Sequence, residues 1–105
     1  MSCEIWAETP TVEFDQNNIG TILGQGHREC SIPSEARVQI RLRKHRSWWP
    51  DKTLASIEIT GTDIHQTVSY KCKGKGSQRV FTEILVKSGK KKKAKSGRRN
   101  FNLCS

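Results

Sequence analysis

Between Val38 and Leu42 the chain alternates strictly, with Val38, Ile40 and Leu42 on one side and Arg37, Gln39, Arg41 and Arg43 on the other. A period of two is that of a half-buried β-strand, so this strand turns one face to a core and presents a cationic face to solvent. The same pattern recurs along the chain. Cys3, Ile5 and Ala7 oppose Glu4, Trp6 and Glu8; Thr11 to Asp15 puts Val12 and Phe14 inward; Ile19 to Leu23 reads as a further short strand. Thr53 to Thr60 directs Ala55, Ile57 and Ile59 inward, and Gln66 to Lys73 sets Val68, Tyr70 and Cys72 against Thr67, Ser69 and Lys71. Arg79 to Lys87 is the most apolar. Val80, Thr82, Ile84 and Val86 line one side while Phe81 and Leu85 partly cover the other, as expected for a strand in the middle of its sheet. Asn100 to Cys104, with Phe101 and Leu103 inward, closes the series.

Turn chemistry separates these segments: Thr9-Pro10, Asp15 to Asn18, Ser31 to Glu35 with Pro33, Pro50-Asp51-Lys52, Gly61 to Asp63, and the cationic turn Lys73 to Ser77. Gly24-Gln-Gly26 predicts a bulge or a close backbone approach; no Gly-Lys-Ser/Thr follows it, so it is not read as a phosphate loop. Seven or eight short strands and no helical period predict an all-β chain, a small antiparallel β-sandwich in one domain over residues 1–105. One segment stands apart. Ser88 to Arg99 holds seven basic residues, no acid and no large apolar side chain, and reads as a flexible Lys/Arg-rich loop at about 88–99.

Four cysteines, Cys3, Cys30, Cys72 and Cys104, occur in a short chain without a Cys-x-x-Cys pair. His27 beside Cys30 has no second local pair, so no structural metal is expected. Two disulfides are the better reading. They place the chain in an oxidising compartment, and proximity in sequence favours Cys3–Cys30 with Cys72–Cys104. The start Met1-Ser2-Cys3-Glu4-Ile5-Trp6 lacks the basic and apolar regions of a signal peptide, so export would require a leader ahead of Ser2. No apolar stretch approaches membrane-spanning length.

Charge sharpens the picture. The chain carries +9, but residues 1–36 set six acids against one base, Arg28; their balance of −5 leaves +14 on residues 37–105. Such a basic half suits an anionic polymer or an anionic cell surface; an acidic protein is a further candidate, and nucleic acid a less favoured one. The candidate contacts are Arg41, Arg43, Lys44 and Arg46 in one patch and Lys90, Lys91, Lys92, Lys93, Lys95, Arg98 and Arg99 in a denser one. Trp6, Phe14, Tyr70, Phe81 and Phe101 fit core or near-core positions. Trp48 and Trp49 remain as stacking platforms, with one ring expected to close the end of the core and the other to stay exposed. His27, His45 and His65 show no carboxylate at a spacing that signals a catalytic dyad, Glu58 and Glu83 fall on faces that read as solvent-exposed, and no Gly-x-Ser-x-Gly elbow is present. No catalytic residue and no cofactor are therefore assigned; the enzymatic alternative is a small ribonuclease using His45 beside the basic face.

Gly24-x-Gly26-x-Arg28-x-Cys30, the Val38 to Arg43 strand, Trp49-Pro-Asp-Lys-Thr-Leu-Ala55 and Thr82-Glu-Ile84 together resemble segments of small secreted β-rich proteins with paired cysteines from Gram-positive bacteria. The resemblance implies secretion and a two-disulfide β fold, in a group that includes chains linked to antibacterial competition and adaptor subunits of secreted toxins. The resulting expectation is a secreted, non-enzymatic basic binding protein with an antimicrobial effect as its corollary; the alternatives are a protein-interaction adaptor of a secreted assembly and a nucleic-acid-binding protein.

Overall fold

Nine strands form two antiparallel sheets in a computed structural model that describes residues 3–46, 48–72, 78–89 and 91–101. In the first sheet, β1 (Cys3–Ala7) and β2 (Thr11–Phe14) pair with successive halves of one side of β3 (Gly20–Cys30), and β6 (Ile64–Lys71) pairs with its other side. The second sheet runs β5 (Lys52–Gly61), β4 (Ala36–Lys44), β7 (Gln78–Val86), with β8 (Lys92–Lys95) and β9 (Arg99–Phe101) sharing the outer side of β7. The chain is an antiparallel β-sandwich.

The alternation predicts which side chains meet between the sheets. Val38, Ile40, Leu42, Val80, Thr82 and Ile84 are fully buried, opposite Ile22 from β3. Each large aliphatic side chain removed from water in this way contributes about 1.5–3 kcal/mol. The sheets approach closely because β3 is nearly bare on its inner face. A Cβ on Gly24 would lie 2.6 Å from both Leu42 Cδ2 and Thr82 Oγ1, and one on Gly26 would lie 2.9 Å from Ile40 Cγ1. Gly24-x-Gly26 is thus a close approach and not a bulge, and β3 pairs with β6 without interruption from Thr21 to Arg28.

Arg28 ends this inner row, and its buried guanidinium donates through Nη1 to the carbonyls of Ser34, Gly61 and Thr62. Neutral carbonyls from two connections are thereby drawn to one charge, which ties the β3–β4 loop to the β5–β6 turn. The Cys3–Cys30 disulfide, as expected, joins directly opposite residues of β1 and β3 beside it. Cys72 is buried at the end of β6, and the expected Cys72–Cys104 bridge involves Cys104, outside the described residues. No free cysteine occurs among the described residues.

Several expectations require correction. Lys92–Lys95 is not loop but strand, paired from Lys92↔Val86 to Lys95↔Glu83. Ladder hydrogen bonds need only backbone, and lysine on an edge strand discourages pairing with a further chain. Ile19 to Leu23 is only the start of an eleven-residue strand. Trp6 and Phe14 are exposed, Trp6 because it lies on the outer face of β1. The Lys73–Ser77 turn and Leu103 lie outside the described residues.

The β2–β3 turn has local chemistry of its own. Asp15 Oδ1 accepts hydrogen bonds from the backbone N–H groups of Ile19 at 3.0 Å and Asn17 at 2.8 Å, while Asn18 takes φ = 59°. These bonds, Ile19 first, hold the Asp15 carboxyl below the usual 3.8. A pKa lowered by folding means that the carboxylate stabilises the fold above its unfolded pKa, and that this contribution is lost as pH falls through the lower, folded value. Asp15→Asn is expected to lower the melting temperature at pH 7, with the gap from wild type narrowing in melts taken below pH 3.8; a gap that stays constant with pH would refute the ionic role.

Candidate functional site

The outer face of the second sheet gathers most of the predicted cations. Arg37, Arg41 and Arg43 lie outward on β4, and register puts Arg41 opposite Glu83 of β7, which in turn faces Lys95 of β8. Glu83, expected to be exposed, is fully buried. It lies in the middle of the sheet, and the long side chains of its neighbours close over it. Arg41 Nε donates to Glu83 Oε1 at 2.8 Å, with Arg41 Nη2 on the same oxygen; Arg43 Nη1 stands 3.6 Å from Oε1 and Lys93 Nζ 3.4 Å from Oε2. Oε2 makes no hydrogen bond, so its pairing with Lys93 is ionic. Lys95 Nζ lies 5.6 Å from the ring centre of Phe81, which is buried on this same face.

One carboxylate on β7 therefore organises cations from the strands on either side of it, β4 and β8. Arg41 and Arg43 are spent largely on Glu83, with side chains only 20% and 19% exposed, whereas Lys93 keeps 49%. Arg37 and Lys87 share Glu58 at 3.2 and 3.5 Å. The face thus holds Arg37, Arg41, Arg43, Lys87, Lys93 and Lys95 against two carboxylates, and Lys91 stands exposed beside it. Its surplus charge is concentrated on β8 and its approach.

The remaining candidates scatter. Lys44 belongs to the inward row of β4, opposite Val80. Lys92 is likewise opposite Val86, and its Nζ donates to the carbonyl of Cys3 at 2.9 Å, bridging the sheet edges. Arg99 donates to the Pro10 carbonyl and lies over Phe101 at 5.3 Å, so it too is structural; Arg98 is exposed. Lys90 lies outside the described residues. Arg46 Nε donates to the carbonyl of Pro50 and Arg43 Nη2 to that of Asp51, which close the base of the β4–β5 connection. From it project both Trp48, 91% exposed, and Trp49, 70% exposed. The expectation that one ring would seal the core fails because Leu54 and Ala55 already supply the apolar side chains there.

All three histidines stand beside carboxylates that sequence spacing did not reveal. His45 Nδ1 is 3.3 Å from Asp51 Oδ1, without hydrogen-bond geometry, across the same connection. His27 and His65 meet on the outer face of the first sheet, with Glu8 on one side and Glu29 on the other. That face is acidic: Glu4, Glu13 and Glu29 point outward from it. The sandwich therefore has an acidic side and a basic side. Among the described residues no group of three or more His, Cys, Asp or Glu side chains is arranged so that all of them could hold one metal ion.

Fold and charge together define a small disulfide-bonded β-sandwich with one strongly cationic sheet face. Comparison of the chain with protein-family models, with curated proteins and with solved structures finds no match.

Proposed function

We propose that the protein is a secreted, non-enzymatic binding protein that attaches to an anionic polymer of a cell surface through the outer face of the second sheet. The observation that carries this reading is the exposed row Lys91, Lys93 and Lys95, set beside Arg41 and Arg43 on a flat sheet face with no excess of acid. Anions reaching such a face displace condensed counterions, so affinity falls with salt. The exposed Trp48-Trp49 pair offers apolar contact at the end of the same sheet. The Cys3–Cys30 disulfide supports an oxidising setting, and among the described residues no helix is long and apolar enough to cross a membrane.

Titration of salt against binding to teichoic acid, heparin and anionic vesicles tests the reading. Lys91→Gln, Lys93→Gln and Lys95→Gln combined are expected to weaken binding at least tenfold at low salt and to flatten the slope of log K on log salt by about two to three. Affinity indifferent to salt or to the triple substitution would sink it.

The opposition of acidic and basic faces favours a second reading, an adaptor that engages a different partner on each side. Simultaneous capture of a basic protein by immobilised polymer-bound chain would support it, and mutual exclusion would refute it.

A further inference from the structure

A second cluster lies away from the cationic face. Trp6, His27 and His65 stand directly opposite one another on β1, β3 and β6, forming a three-strand ladder on the outer face of the first sheet. Trp6 stacks on His27 with ring centres 5.0 Å apart and planes 22° from parallel. His27 Nδ1 lies 2.7 Å from His65 Nδ1. The other nitrogens point to carboxylates, His27 Nε2 at 2.5 Å from Glu8 Oε2 and His65 Nε2 at 3.3 Å from Glu29 Oε1.

An ionised carboxylate can only accept, so Glu8 and Glu29 each favour a proton on Nε2. A neutral ring protonated at Nε2 presents a lone pair at Nδ1. Both rings then aim lone pairs at the same point, which a second proton on one ring or a bound metal ion would bridge. Glu4 adds a third carboxylate to this face, opposite Glu29, and Arg28, the base adjacent in sequence to His27, points the other way into the sandwich.

We propose that this point is a binding site for a divalent transition-metal ion, Cu2+ above all, chelated by His27 Nδ1 and His65 Nδ1 with its remaining positions open to water. Imidazole suits copper, nickel and zinc, and for a given site affinity peaks at Cu2+. Geometry agrees with that order. With metal–nitrogen bonds of about 2.0–2.1 Å, adjacent ligands of a tetragonal ion lie about 2.8–3.0 Å apart, but those of a tetrahedral ion about 3.3–3.4 Å. The observed 2.7 Å needs a small opening for the first and a larger one for the second. Glu8 and Glu29 then serve as the outer partners that fix tautomer and raise ligand basicity. The side chain of His27 is 13% exposed and held under Trp6, whereas that of His65 is 48% exposed on an edge strand, so one ligand is rigid and the other can adjust. Two protein ligands make an exchangeable site rather than a structural one.

Titration of the metal-free protein with CuCl2, NiCl2 and ZnCl2, followed by calorimetry and, for copper, by nitrogen hyperfine structure in the electron paramagnetic resonance spectrum, tests the site. One Cu2+ per chain is expected, with affinity in the order copper, nickel, zinc. His65→Asn should cost at least tenfold, Glu8→Gln about tenfold through loss of its support to His27, and His45→Asn nothing. Far-UV circular dichroism of His65→Asn, a half-exposed edge position, checks that the fold is kept. Absence of saturable Cu2+ binding, or equal binding by folded His65→Asn, would overturn the proposal.

Discussion

Glu83→Ala is expected to destabilise the protein by about 3–5 kcal/mol, the cost of removing one partner from a buried ion pair. The reason lies in what stays behind. Arg41 and Arg43 are four-fifths covered; Arg41 is held by two donors on the carboxylate, and Arg43, which donates to the Asp51 carbonyl, stands 3.6 Å from it. Without it, two guanidiniums and the Lys93 ammonium face one another with no anion at hand, over a void where the side chain had been. Against a typical domain stability of about 5–15 kcal/mol, this loss leaves a marginal fold. Urea denaturation measures it directly. Because the destabilisation comes largely from like charges, added salt should restore part of it, which would not happen if only packing were lost. An anionic polymer should raise the midpoint of Glu83→Ala more than that of wild type, since the released arginines become available to it. A midpoint in urea unchanged by Glu83→Ala would show that the cations do not depend on this carboxylate.

Loss of the Cys3–Cys30 disulfide is the second large expected effect. The bridge closes a segment of 27 residues, and the chain-entropy estimate for a loop of that size is roughly 3–4 kcal/mol. It has a particular place to act. β1 is an edge strand held on one side only, by β3, and Lys92 of the second sheet anchors on the Cys3 carbonyl. Arg28 Nη2 also lies 3.4 Å from Cys3 Sγ, so the disulfide end of β1 covers the buried guanidinium. Cys3→Ser with Cys30→Ser should therefore lower the thermal midpoint and accelerate amide exchange first in β1, while β4 and β7 remain protected until global unfolding. Uniform loss of protection across both sheets would instead show that the bridge restrains only the unfolded chain.

These two effects mark how far the candidate site could be read in advance. Arg41, Arg43, Lys93 and Lys95 were recognisable as cations from the alternation and from the charge run, but their partner was not. Glu83 has the outward phase of an exposed residue, and only its position in the centre of the second sheet, ringed by longer side chains, buries it. The run from Lys92 to Lys95 has too few apolar residues to announce a strand; it becomes one because the edge of β7 needs backbone partners. For Trp48 and Trp49, hydrophobicity argued for a ring in the core, yet both project from a connection whose base is closed by Arg43, Arg46 and polar backbone.

The strand periodicity alone determined that the chain is an all-β sandwich and which residues face inward on β4 and β7. Alternation is a local property, written in consecutive residues. What only the tertiary structure decided was register, which sets cysteine opposite cysteine, arginine opposite Glu83, and His27 between Trp6 and His65. Those residues are separated by 21 (Trp6 to His27) to 42 (Arg41 to Glu83) positions, and nothing in their local sequence specifies the pairing. Sheet pairing brings them together because a strand chooses its neighbour by burying its inner face, and the outer face then receives whatever that register delivers.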